Sequence, residues 1–539
     1  MEKFRKTKIV ATLGKASSSK EQLKKLIQEG VDAVRISSRF LEMEQRDSVL
    51  SNLRQAEQEV GKQICVILSL RESDIRLGSA NAGTPMVLCE GDVVKIVSDP
   101  PKTPEPKTIL CNNREFPNLV KEGDELLLEY GKVLLTVVRV EEHKSGISTP
   151  LSSSQGDLTS LSSLPVPSAS ESVKRERLVS HNSQNNVVRF RRTKPKGLKS
   201  FKVVYARVEN DCKFDNQTPM NFSNANFLDP EKYSNDLEDI KLLEWSGSAD
   251  IDIIVYKQIR GREDLETLWN FRTPPNVKRF VGIQTKESAN SCEEFIDVSD
   301  GCSIGRGVLG LETSLPNVCK IQKYVTKVCN EKGKPVMVST QVLESMVFKT
   351  KPSRAEVTGV FNVVYDGIDS ILLTGETAYG KHPELAVRAC ASICMEAEKH
   401  IPYEEVSENI LKNIQAPISI PENICYCAVR SVLSIKAKLI VCITKTGKTA
   451  QLISRFKPPC MILAITNSTK ALKYMRIIRG VYPACLEEAK LTESFKEHSM
   501  KVALEKELVQ SGDKVIYVGG GHDSFIEGDT SSLVVCIIP

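Results

Sequence analysis

Six residues, Thr444-Lys445-Thr446-Gly447-Lys448-Thr449, gather hydroxyls, a glycine and two ammonium groups where an apolar strand gives way to a helical pattern. Open N–H groups at a helix N-terminus attract anions, so the run reads either as a phosphate-binding loop or as a plain strand–turn–helix cap. It is not a Walker A loop, because the first glycine that motif requires is Cys442. The 16 cysteines raise metal and disulfide chemistry, but no Cys-x-x-Cys pair occurs, and most lie in apolar runs such as Val441-Cys442-Ile443 and Val535-Cys536-Ile537. They read as buried, reduced thiols. A basic run (Lys174, Arg175, Arg177, Arg189, Arg191, Arg192, Lys194, Lys196, Lys199) raises a nuclear-localisation or nucleic-acid patch. With no aromatic interleaving beyond Phe190, it reads as a solvated loop, and nucleic acid is not an expected partner.

These groups need elements to hold them. A chain of 539 residues exceeds one core, and its 41% hydrophobic and 26% charged residues are those of an ordinary globular chain, predicting roughly three or four domains. A net charge of +5 over that length implies no polyanion partner. Residues Met1 to Lys6 lead into a strand with no apolar signal region, and no apolar run is long enough for a membrane span, so a cytoplasmic protein is expected. Strands are predicted at 7–12, 32–36, 63–70, 251–256, 278–284, 301–305, 335–339 and 370–373, with helical patterns between most of them. That alternation predicts a (β/α)8 barrel. From Met86 to Val140 the pattern changes to short strands broken by Gly91-Asp92 and Gly123-Asp124, an all-β insertion resumed by Phe201 to Glu209. Ser145 to Ser172 is too rich in Ser, Pro and Thr to bury a core, and Thr149-Pro150 is a candidate phosphorylation site. Beyond Ile401 a further α/β set begins, with strands predicted at 439–444, 461–466, 514–519 and 533–538. The expected division is 1–76 plus 223–400 for the barrel, 77–222 for the β lid with its Ser-rich and basic interruption at 145–199, and 401–539 for the C-terminal α/β domain.

Ser339-Thr340-Gln341-Val342-Leu343-Glu344-Ser345-Met346 and Thr374-Gly375-Glu376-Thr377-Ala378 nearly reproduce two strand-end signatures of the pyruvate kinase family, and the chain resembles that family over nearly its whole length. The resemblance implies a TIM barrel with a lid after its third strand, a C-terminal effector-type domain and a homo- or hetero-tetramer. It also implies phosphoryl transfer between phosphoenolpyruvate and ADP in glycolysis, with Mg2+ (or Mn2+) and K+ as the family's ions.

Carried over position by position, the resemblance keeps some groups and loses others. Ser299-Asp300-Gly301 and Gly305-Arg306-Gly307-Val308-Leu309-Gly310 match in register, with Val308 where the family has a metal-binding aspartate. In the same register Gly282 stands at the catalytic lysine and Gln284 at the metal-binding glutamate. Lys286-Glu287 is a slipped substitute only if the strand shifts, and neighbouring strand residues point to opposite faces. In Arg35-Ile36-Ser37-Ser38-Arg39-Phe40 the phosphate-binding Arg35 is kept, while Ser37 and Arg39 replace ligands of the monovalent cation. Ser69 replaces its aspartate; Arg76 and Thr340 are kept. A hypothesis follows that Arg39 sets a fixed charge near the vacated ion site. The loop Thr444 to Thr449 resembles the family's effector-phosphate loop, with Gly521-His522-Asp523-Ser524-Phe525 at its second half. A phosphorylated metabolite is therefore a candidate ligand, and neither ion is expected to bind well. The leading expectation is a catalytically silent binding or assembly protein. The alternatives are an active or weakly active kinase making pyruvate and ATP, and a phosphate-metabolite sensor.

Overall fold

The computed structural model describes residues 4–70, 75–79, 86–98, 106–111, 116–128, 133–144, 200–214, 218–222, 237–270, 273–274, 276–486, 495–520 and 530–539. The Ser-rich and basic insertion 145–199, the segment 521–525 and the side chain of Arg76 lie outside what is described.

Short apolar runs, buried on both faces, form eight parallel strands. These are β1 (Lys8–Thr12), β2 (Ala33–Ser37), β3 (Cys65–Leu70), β4 (Ile253–Tyr256), β5 (Lys278–Ile283), β6 (Gly301–Gly305), β7 (Val336–Ser339) and β8 (Ser370–Leu373). They follow one another in chain order around a closed barrel, and β8 seals against β1 through Lys8↔Ser370 and Ile9↔Ile371. The helices outside are set by local chemistry. Ser353 caps helix Arg354–Tyr365 and Ser419 caps Ile420–Ile435, each in a capping box with the glutamate three residues on. Helices Met43–Val60 and Leu315–Lys332 stop at Gly61 and Gly333, both left-handed.

One device recurs at the N-terminal rim. Asp32, Asp252, Asp300 and Asp369 stand just before or at the entries to β2, β4, β6 and β8, and their carboxylates accept the backbone N–H of Ile9, Val66, Arg279 and Val336. Each also donates its own N–H to the carbonyl of the same residue. An aspartate before every even strand thus fixes the entry of the odd strand beside it. Burial pushes the Asp252 carboxyl up to about 6 despite Lys470 nearby.

After β3 the chain builds a second, seven-stranded closed barrel. In neighbour order its strands are Ser200–Val208, Val93–Val97, Thr108–Cys111, Ile75–Ser79, Thr218–Phe222, Glu125–Leu128 and Val133–Lys144. It has its own core around Leu77, Ile96, Phe116 and Leu135. Arg76 lies on the first strand of this lid, its backbone opposite Pro219.

The C-terminal sheet is ordered β11 (Val481–Cys485), β10 (Met461–Thr466), β9 (Leu439–Ile443), β12 (Lys514–Gly519) and β13 (Ser532–Ile537), parallel except for β13. The sequence pattern does not announce β11, because Val-Tyr-Pro-Ala-Cys carries a proline. At an edge that missing N–H costs no ladder bond. The run around Cys536, expected to be buried, is the other edge: Val535 is 48% and Ile537 65% exposed. Among described cysteines nine are buried, including Cys442, while Cys89, Cys319, Cys427 and Cys485 are exposed. The barrel interior (Val10, Ile67, Val255, Phe280, Met337, Leu372) is continuous with the apolar face of the C-terminal domain (Val429, Ile453, Phe456, Ile477) in a single cluster. That domain therefore plugs the N-terminal end of the barrel and leaves the C-terminal end open.

Candidate active site cleft

The open end holds a cleft lined by Arg35, Arg39, Phe40, Lys257, Gln258, Gln284, Val308, Ser339, Thr340, Gln341, Glu344, Val347, Thr374, Gly375, Glu376 and Tyr379. Active sites of such barrels sit at this end. Five residues singled out from the sequence meet there: Arg35, Arg39, Gln284, Val308 and Thr340. The others lie elsewhere. Ser37, Ser69 and Gly282 lie on β2, β3 and β5 outside the lining, and Arg76 is on the lid.

Arg35 is buried in the middle of β2, where its Nε donates to Ser69 Oγ at 2.9 Å and its Nη1 to Thr12 Oγ1 at 3.4 Å. The hydroxyl at the family's cation-binding aspartate is thus an acceptor for the retained arginine. Ser37 Oγ accepts from the N–H of Arg39, whose guanidinium lies 5.2 Å from the centre of the Phe40 ring. Phe40 packs against Tyr379 at 5.9 Å, giving the cleft an aromatic rim. A K+ ion needs oxygen donors. Two of the three positions carry a hydroxyl, one accepting from Arg35 and one from a backbone N–H, and the third carries a guanidinium, which offers no lone pair.

Gln284 directly follows β5, and its side chain lies across Gly305: a Cβ at Gly305 would meet Gln284 Nε2 at 2.5 Å and Cδ at 2.8 Å. Val308 stands on the following helix, Arg306–Glu312. A neutral amide and an isopropyl group make no carboxylate cradle for a divalent ion. Among the described residues no cluster of three or more His, Cys, Asp or Glu is placed to hold a metal. The two glutamates of the cleft do not change this picture. Glu376 is buried, its oxygens accept from the N–H groups of Leu343 and Thr374, and burial raises its carboxyl. Glu344, next to Leu343, starts the 3-10 turn Glu344–Val347, and its charge adds to the rise at Glu376.

The slipped pair also falls away. Lys286 and Glu287 open a short helix, Lys286–Asn290, capped by Thr285, rather than extending β5. Both are exposed, and Glu287 pairs with Arg260 at 2.6 Å, outside the cleft.

Thr340 sits at the end of β7 with φ +64°, followed by Gln341 at +51°; Gln258 beyond β4 is at +51°. Left-handed backbone is costly for residues with a Cβ, and three such residues line one cleft. Arg306 holds two of them, donating from Nε and Nη2 to Thr340 O and from Nη2 to Gln341 O at 2.7 Å. Thr340 Oγ1 accepts from the N–H of Gly307 at 2.7 Å. Sequence reasoning missed Lys257. It follows β4, and a Cβ on Gly282 would lie 3.2 Å from Lys257 Cγ and 3.1 Å from its Cα. The signal was a charged residue directly after a four-residue apolar strand.

In the C-terminal domain, residues 444–449 do form the turn into helix Lys448–Arg455, with Gly447 left-handed at φ +88°. Thr444 Oγ1 accepts from Gly447 N–H at 2.9 Å, and Thr449 Oγ1 meets Thr530 Oγ1 at 3.0 Å. Lys445 and Lys448 are exposed, and Thr446 is partly so.

With this geometry in place, comparison with known proteins is direct. The family model for the pyruvate kinase barrel domain matches residues 4–179 and 192–387, and that for the pyruvate kinase alpha/beta domain matches 422–536. The chain is 29% identical to a cytosolic isozyme of pyruvate kinase from Glycine max over 99% of this chain and 96% of that protein. It is 28% identical to a pyruvate kinase of Dictyostelium discoideum, over 99% and 95%. It superposes on the crystal structure of Cryptosporidium parvum pyruvate kinase with a TM-score of 0.79 and 26% identity, covering 99% of this chain and 98% of that one. An eight-stranded parallel barrel, an inserted β barrel, a C-terminal α/β sheet and matches along the whole length agree: this chain belongs to the pyruvate kinase family.

Proposed function

We propose that this chain keeps the pyruvate kinase scaffold without ordinary metal-dependent phosphoryl transfer from phosphoenolpyruvate to ADP, and acts as a cytoplasmic binding or assembly protein. The observation that carries this reading is Gln284 lying over Gly305 beside Val308, where the family's two carboxylates would hold a divalent ion. Preorganised charge is the main contribution to phosphoryl transfer, and losing one such group costs roughly 10²–10³ in rate. Groups of one site do not add, but loss of both carboxylates and of the lysine at Gly282 leaves little beyond positioning. Arg35 and Thr340 remain in the cleft as groups for an anionic ligand.

A coupled assay for pyruvate with ADP, Mg2+ and K+ tests this. Turnover below about 0.1 per second is expected, and about 10–100 per second would overturn the reading in favour of an active kinase. The retained Arg35 and the cation Lys257 are what favour that second reading. A sensor role for residues 444–449 rests on the left-handed Gly447 turn at a helix start. A thermal-shift series with fructose bisphosphate on the unmodified protein and on Thr446→Glu tests it; no shift in the unmodified protein ends it. Assembly into homo- or hetero-tetramers is carried over from the family.

A further inference from the structure

The cleft differs from the family pattern by what it has gained as well as by what it lacks. At Gly282 the lysine of β5 is gone, and the stem of Lys257, from the neighbouring strand end, packs over that bare Cα. Parallel pairing sets Tyr256 opposite Val281, which brings the next residue of each strand, Lys257 and Gly282, side by side. At Arg39 a guanidinium stands among the residues that replace the monovalent-cation ligands, close to the retained Arg35. Where the family uses two diffusible cations and one fixed lysine, this chain sets two fixed cations just beyond β2 and β4. Both line the same cleft as Arg35 and Thr340.

We propose that Lys257 and Arg39 act as built-in counter-ions, so that the cleft takes a small phosphorylated carboxylate without any divalent or monovalent metal ion. The inference rests on the reading of the cleft as a binding site rather than a working kinase site. The chemistry is that of an anionic ligand meeting three side-chain cations, Arg35, Arg39 and Lys257, in a part-buried cleft whose acidic groups are Glu344 and Glu376, the latter with its carboxyl raised by burial; charge-assisted hydrogen bonds are strong there. Fixed cations lose no ion on dilution, so binding loses its dependence on Mg2+ and K+. It remains sensitive to general ionic strength.

Calorimetry of the full chain with phosphoenolpyruvate tests this, in EDTA with tetramethylammonium chloride and again with Mg2+ and K+ at equal ionic strength. The expected Kd is the same in both within about threefold, while Lys257→Met weakens it about 10–100-fold, the loss of one charge-assisted bond. Lys257→Arg restores most of the affinity, and Arg262→Met, on an exposed helix away from the cleft, changes nothing; circular dichroism melts show that the variants fold. Binding that needs Mg2+ or K+, no binding in either buffer, or Lys257→Met binding as tightly as the unmodified chain would each overturn the proposal. Pyruvate release, measured in the same samples with ADP, reports separately on the silent-kinase reading. Rapid turnover would sink that reading and leave the ion dependence to be judged by Kd alone.

Discussion

Single side chains decide what this cleft can hold. If Gln284 and Val308 are what keep a divalent ion out, as proposed, then Gln284→Glu with Val308→Asp places two carboxylates on the walls that carry an amide and an isopropyl group. The double variant should bind Mn2+ at least about tenfold more tightly than the unmodified chain, read by calorimetry or electron paramagnetic resonance. Equal Mn2+ affinity would show that the two positions do not face one ligand site. Much of this was legible in the sequence. Glycine-punctuated runs on either side of Val308 held the register, and that register named Gly282 and Gln284 as replacements. Lys257 was not legible, because nothing in a linear pattern says that a residue on one strand will lie over the missing side chain of the next. The fate of Lys286-Glu287 was half legible: the argument that they cannot share a strand face stands, but Thr285 turns them into a helix instead.

At the scale of elements, strand and helix positions followed from apolar runs and capping serines, and those signals are strong where both faces of a strand are buried. Two kinds of element escaped. β11 hid behind its proline, and β13 looked like a core strand because composition does not separate an apolar edge from an apolar centre. The aspartates before the even strands were invisible as a set, since only the closed barrel brings each beside the preceding odd strand. Their weight is testable at Asp369, which accepts from Val336 N–H at 3.0 Å and Arg479 N–H at 3.1 Å and faces the buried Lys457 at 3.8 Å. Asp369→Ala removes all three contacts and leaves a buried ammonium without its partner. A loss of about 3–5 kcal/mol in denaturant unfolding is expected. Ser353→Ala, which removes an exposed capping box at helix Arg354–Tyr365, should cost only about 1 kcal/mol in the same measurement.

For the molecule as a whole, the plugged end and the open end carry different burdens. Lys8, at the plugged end, is buried and donates from Nζ to Val481 O at 2.7 Å, tying β1 to β11. Burial lowers its pKa to about 7 from 10.5, against the pull of Asp32. Between those values the unfolded chain keeps a proton that the folded chain has released, so stability rises with pH through that window; below 7 both states are protonated and the cost of the buried charge is felt in full. The difference in unfolding free energy between the unmodified chain and Lys8→Met should therefore move toward the unmodified chain by about 1 kcal/mol per pH unit from 7 to 9. A flat difference would place the ammonium in water. Contacts such as these hold the fold at the plugged end, so substitutions in the open cleft need not loosen it. One position beside that cleft is tight. A Cβ at Gly282 would lie 3.1 Å from Lys257 Cα and 3.2 Å from Lys257 Cγ and Tyr256 O, so a larger residue there needs these neighbours to give by a few tenths of an ångström. The residues at 257 and 282 are therefore coupled, and substitutions at the two should be non-additive in stability.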